Sequence, residues 1–267
     1  MRLFFFPALA FAAALQAQDA PPPSGAGTGE KPAPPAETKP VEGSLRGTEA
    51  PSALSTKPRV SAAEKTNYPS QYLYFVSEAM KSFQARDFVG ALAYANRADE
   101  LVPPTVWTLN VRGAVAIEQL NFEEGRKLCM EALKMEPGFF PAKFNLCEIP
   151  FLQKNYAEAR RGWNELFKAI PPEDPTAELL IYRIFLTYLL EEDKTHAKEW
   201  LEKIPFPSQT PAYQYAHAAW ERQAGNLDKW KEWLESAEFI WPLVKRANFL
   251  DVLVQLKWIE NQNFSPN

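Results

Sequence analysis

Two histidines, two cysteines and eight tryptophans are the side chains of this 267-residue chain best suited to chemistry, and their spacing narrows what that chemistry could be. His196 and His217 fall on different helical units, with no cysteine or carboxylate partner at metal-ligand spacing. The sequence contains no Gly-rich phosphate loop, no G-x-S-x-G elbow and no H-E-x-x-H pair, so it presents neither a nucleophile nor a metal site. It is read as a non-enzyme that needs no cofactor. Cys129 and Cys147 are too few for the disulfide framework of a small secreted fold and make one bond at most. A bond requires Cα atoms within about 7 Å, which neighbouring helices do not guarantee, so the pair is either two buried thiols or one disulfide. Trp220, Trp230, Trp233, Trp241 and Trp258 crowd the C-terminal third and could stack on sugars or hold a peptide. Most lie at helical spacing on apolar faces, which predicts core packing instead.

The elements that carry these residues repeat. Phe88, Phe122 and Tyr156 open three second helices at 34-residue intervals, and Ala91, Gly125 and Ala159 keep the same interval. So do Ala98 with Ala132, and Pro103, Pro137 and Pro171. Self-similarity at this period marks a helical array in which each two-helix unit buries its apolar face on its neighbours. The first unit shows why. Phe75, Ala79 and Phe83 form an i, i+4, i+8 stripe, Arg86-Asp87 turns the chain, small residues line the second helix, and Pro103-Pro104 prevents continuation.

Residues Thr105 to Phe139 carry the pattern most fully. With Gly113 at the eighth position, Phe122 opening the second helix, Gly125 and Ala132 as later small residues and Pro137 at the close, the segment resembles a tetratricopeptide repeat. Gly125 costs about 1 kcal/mol relative to Ala in mid-helix, so its presence predicts crowding against the first helix. The third unit keeps Cys147, Tyr156, Ala159 and Pro171, but Pro150 falls inside its first helix and predicts a kink or break between Cys147 and Pro150. Asp174-Pro175 is a cap-then-proline start, and the apolar stretch Ala177 to Leu190 after it predicts a helix buried on most sides. The fourth unit aligns with Asp193 at its turn and Ala197 as its small residue, shifted by four residues and shortened. Thr210-Pro211 opens a fifth, in which Trp230 stands where a small residue is usual. Leu243 to about Glu260 forms a last helix with Ala247, Leu250, Val254 and Trp258 on one side and Lys245, Arg246, Asp251 and Gln255 more exposed. The expected fold is an all-α, right-handed α-solenoid of about five tetratricopeptide-like helix-turn-helix repeats over residues 68–262 with a C-terminal capping helix, followed by a tail, 263–267.

The resemblance implies protein binding on the concave side, which the first helices line. Carried over position by position, it points to Trp107, Asn110, Phe144, Asn145, Glu148, Phe151, Tyr182 and Tyr215 as the groove, a mixed aromatic and amide surface suited to an extended peptide or a helix. Family members that clamp a C-terminal carboxylate use lysines, asparagines and an arginine. Val76, Met80, Val111, Pro141 and Asn145 stand at those places, so that ligand is not expected. The alternative is a permanent accessory subunit, or a self-associating structural protein, that docks through the Ala177-Leu190 helix and the Trp-rich end.

Upstream the chain changes character. Met1-Arg2, the apolar run Leu3 to Leu15 and Gln16-Ala17-Gln18 have the layout of a secretory signal peptide, and the run is shorter than the roughly 18 residues that span a bilayer. Cleavage after Ala17 leaves no stable membrane insertion and a periplasmic or secreted protein. Residues 18–67 hold nine of the 24 prolines and no aromatic residue, so they bury too little apolar surface to offset the entropy of ordering. They are read as a disordered linker with a span of roughly 40 Å. The net charge of -4, with mixed signs and no Lys/Arg run, excludes a phosphate-binding stripe and with it nucleic acid.

Overall fold

A computed structural model describes residues 68–260 of the chain. The expected signal peptide, linker and tail (1–17, 18–67 and 263–267) lie outside the described residues. Within them are eleven helices and no strand: α1 (Ser70–Gln84), α2 (Phe88–Leu101), α3 (Val106–Glu118), α4 (Phe122–Met135), α5 (Phe140–Leu152), α6 (Tyr156–Ala169), α7 (Pro175–Leu190), α8 (Lys194–Leu201), α9 (Ala212–Gln223), α10 (Leu227–Ile240) and α11 (Leu243–Gln255). The first ten pair as five antiparallel hairpins stacked in chain order, and α11 is an additional terminal helix. The fold is therefore an all-α solenoid of helix-turn-helix repeats.

One joint recurs at the hairpin turns. Arg86, Leu120, Lys154 and Glu192 take left-handed backbone with φ of 59°, 61°, 63° and 60°, and Gly225 does so at 82°. Such a residue lets the chain close a Schellman turn. In the second hairpin the Leu120 N–H donates to the Ile117 carbonyl at 2.9 Å, and the Asn121 N–H reaches back to Ala116 at 2.8 Å. The next residue caps the following helix: the Asp87, Asn121, Asn155 and Asp193 side chains accept from the N–H groups of Gly90, Glu124, Glu158 and His196. Left-handed residue then Asp or Asn, immediately before the new helix, is the physical content of the 34-residue register in the first three turns.

Small residues then set how near the helices come. A Cβ on Gly125 would stand 2.5 Å from Ile117 Cγ1 and 3.2 Å from the Gly113 carbonyl oxygen, and one on Gly113 would stand 2.9 Å from Cys129 Sγ. The crowding expected from Gly125 is present. Of the kink or break expected at Pro150, the break does not occur, because α5 runs through it to Leu152. Pro150 lies in the last turn, where it forfeits a single helical bond. Beyond it Gln153 still donates to Ile149 at 3.0 Å, and Asn155 to Pro150 at 2.8 Å.

Helix α7 is the hub of the largest apolar cluster, which runs from Phe151 to Leu253. Leu179, Leu180, Ile181, Tyr182, Ile184, Phe185, Leu186 and Leu189 are all buried. Asp174 caps it as expected, accepting from the Thr176 N–H at 2.8 Å. The fourth hairpin is cut short, since α8 has only eight residues. The connection after it is held by Glu178 of α7, whose carboxylate accepts from the Gln209 N–H at 3.0 Å and from the Ser208 and Thr210 hydroxyls. Helix α9 begins at Ala212, one residue later than a Thr210 cap would place it, although the Thr210 hydroxyl still accepts from the Ala212 N–H.

Helix α11 does more than cover α9 and α10. It crosses the side lined by the first helices and comes into contact with α1. Lys245, Arg246, Asp251 and Gln255, expected on its exposed side, are only partly accessible. Partners await three of them: Glu238 for Arg246, Arg183 for Asp251 and Glu118 for Gln255.

Candidate concave binding site

The first helix of each hairpin presents one face to α11, and a cavity of about 120 Å³ remains between them. Residues from α1, α3, α5, α7 and α11 line it. The centre of its charge is Arg183, 1% exposed within the apolar stretch of α7 that follows Glu178. Its guanidinium lies 3.0 Å from Asp251 Oδ1 and 3.4 Å from Glu148 Oε1, donates to the Asn248 carbonyl at 3.4 Å, and stands 5.7 Å from the Phe144 ring centre. Arg86 donates to Glu118 at 2.8 Å, and the Gln255 amide donates to the second oxygen of that carboxylate. The Asn145 side-chain amide donates to the Asn110 side-chain oxygen, Oδ1, at 3.0 Å.

Two carboxylates thus compete for one guanidinium. Burial pushes Glu148 up to about 8 despite Arg183, and pushes Asp251 up to about 6 against the same attraction. Both carboxyls are thus held above the ordinary carboxylate range, Glu148 further than Asp251, although Arg183 lies against each. The network is incompletely satisfied: both Glu148 oxygens, Arg183 Nε and Nη1, and Gln255 Oε1 are buried with no hydrogen-bond partner. Buried polar atoms are normally bonded, so this concentration sets the face apart from the rest of the core.

The eight residues expected in the groove separate into groups. Asn110, Phe144, Asn145 and Glu148 line the cavity. Trp107 is half-buried, edge-on to Phe139 at 4.9 Å. Phe151 is buried against Tyr156 and Trp163, and Tyr182 is buried with its hydroxyl donating to the Phe249 carbonyl at 3.3 Å. Tyr215 is buried and stacked on Phe249 with centroids 6.4 Å apart. Tyr182 and Tyr215 both meet Phe249 of α11, so the chain's own last helix covers them.

Cys129 is buried and Cys147 half-buried, both as free cysteines. Each sulfur is turned into its own hairpin, toward Gly113 and Gly162 respectively, where it fills the space a missing side chain leaves. His196 lies against Tyr188 and bonds Asp193; His217 lies against Tyr213 and Trp233, where burial lowers its pKa. Among the described residues no group of three His, Cys, Asp or Glu side chains could hold a metal ion. Trp230 is buried in the C-terminal cluster, with Trp220, Trp233 and Trp258 packed against it. Most of α7 is enclosed as well, with Tyr188 and Leu190 partly accessible.

Sequence reasoning missed Arg183, Asp251, Gln255 and Glu118. A signal existed for Arg183: it is the one charge between Glu178 and Leu190 in an apolar run, and a buried guanidinium requires a carboxylate.

No family model matches this chain, and no curated protein does. Two solved structures are similar to it. One is a tetratricopeptide repeat protein from Parabacteroides merdae, 16% identical, with a TM-score of 0.41 over 71% of this chain and 75% of that one. The other is a MamA variant, 12% identical, with a TM-score of 0.39 over 64% of this chain and 97% of that one. These likenesses are distant, and the helical-repeat class rests on the stacked hairpins themselves. No helix among the described residues is long and apolar enough to cross a membrane.

Proposed function

We propose that this chain is an exported, non-enzymatic scaffold that holds another protein against its concave face in the cell envelope. Residues 1–17 direct export in this reading, and residues 18–67 act as the tether that sets the repeat unit away from its anchoring point. The observation that carries it is the face built jointly by the first helices of successive hairpins, where Asn110, Asn145 and Phe144 border the cavity. Amides beside an aromatic ring suit a peptide backbone and its side chains. That lining holds no serine, cysteine, lysine or histidine, and its carboxylates, Glu118, Glu148 and Asp251, face Arg86, Arg183 and Gln255.

The test is crosslinking in the native cell followed by mass spectrometry, and then capture of the partner so found by purified variants. Phe144→Asp and Asn110→Ala should each reduce capture at least tenfold while far-UV circular dichroism stays unchanged. Undiminished capture by both variants would refute the concave face as the binding surface.

A further inference from the structure

Helix α11 occupies the concave face in the way a bound helix would. Phe249 seats its ring 5.6 Å from Tyr182 and 6.4 Å from Tyr215, and Asp251 places its carboxylate on Arg183. Gln255, one turn further on, reaches Glu118. Buried Ala247, Leu250, Val252 and Leu253 supply the apolar side. A single junction, Trp241-Pro242, joins this helix to α10. The fit is incomplete, however. The cavity remains beside it, and orphaned polar atoms occur on both sides of the contact: Glu148 and Arg183 on the repeats, and Gln255 on α11 itself.

We propose that α11 is an internal stand-in for the partner, and that the concave face takes an amphipathic helix carrying an aromatic residue and, two positions later, a carboxylate. The aromatic ring enters between Tyr182 and Tyr215, and the carboxylate takes Arg183 from Asp251. A partner helix with a longer polar side chain near the Glu148 end also reaches Glu148 Oε2, to which α11 offers no hydrogen bond, and this gives it an advantage over the resident helix. Binding therefore releases α11, and α11 limits binding by anything less complementary. This inference rests on the proposed function and specifies the ligand of the same face.

The experiment needs no knowledge of the partner. A fluorescein-labelled peptide of residues 243–258 is titrated into the full chain and into full-length Phe249→Ala and Asp251→Asn variants, whose own α11 is less well seated. Fluorescence anisotropy should show at least tenfold tighter binding to the variants than to the unaltered chain. A peptide carrying Asp251→Lys should lose that binding. The Asp251→Asn variant, nearly equal in volume, guards against loss of fold in Phe249→Ala, and circular dichroism checks both. Equal binding to altered and unaltered chains, no binding to any, or indifference to the peptide's Asp251→Lys change would each overturn the proposal. A doubled mass by light scattering, with α11 exchanged between two copies, would also overturn it. Since no partner enters this assay, its failure is distinguishable from failure to capture one.

Discussion

Gly125→Ala tests whether the close approach within the second hairpin is real. In an exposed mid-helix position this change stabilises by about 1 kcal/mol through helix propensity alone. Here the added methyl would stand 2.5 Å from Ile117 Cγ1 and 3.2 Å from the Gly113 carbonyl oxygen, whereas carbon atoms rest at about 3.5–4.0 Å. Ile117 is 3% exposed and belongs to the cluster containing Cys129 and Phe139, so it must move about 1 Å into filled space or push α3 from α4. The Gly113 carbonyl is backbone and cannot turn aside. Overpacking of this kind costs about 1–3 kcal/mol, which outweighs the propensity gain and leaves a net loss of about 1 kcal/mol. Urea unfolding followed by circular dichroism should show a lower midpoint with an unchanged slope. Adding Ile117→Ala in the same chain should yield a double mutant less destabilised than the sum of the two single changes, because the neighbours are coupled. A midpoint that rises for Gly125→Ala, or strict additivity with Ile117→Ala, would refute the packing argument.

Three further outcomes are expected. Leu120→Gly should raise stability by about 1 kcal/mol in the same assay, because Leu120 holds a φ of 61° that costs an L-residue about that much and its side chain is 64% exposed. Glu148→Gln should flatten the pH profile of the melting temperature: the native carboxyl is raised to about 8, so the folded state keeps a proton that the unfolded chain releases above its ordinary value near 4.5. Stability then falls as pH rises through about 5 to 8, by on the order of a few kcal/mol. The Asp251 share of that slope, ending near 6, should persist in the variant, and an unchanged profile from 6 to 8 would contradict the assignment. Both thiols should label slowly in the native protein at pH 8, since burial pushes Cys129 and Cys147 up to about 12, and both should label promptly on unfolding without reductant.

What could be read from the sequence was whatever local rules dictate. The aromatic openers Phe88, Phe122 and Tyr156 stand where second helices start. The Asp174 cap and the enclosure of α7 also follow from short-range patterns. At Pro150 the helix continues although the proline has no N–H for the Leu146 carbonyl, because the last turn is still tied by Gln153 N–H to Ile149 and Asn155 N–H to Pro150. The course of α11 was hidden for a different reason. Its placement is set by pairs such as Gln255 with Glu118, 137 residues apart, and Asp251 with Arg183, 68 apart. Periodicity reveals that a helix has an apolar side, but it carries no information about which distant charges meet the other one.

Contact between α11 and α1 changes how the array should come apart. An open row of repeats melts inward from either end, each terminal unit loosening with little notice from the far one. Here the last helix touches the first, so the row is clasped, and fraying at one terminus removes a support from the other. Amide exchange in α1 should therefore quicken when α11 is unseated, as in Phe249→Ala, which the far end of an open row would not register.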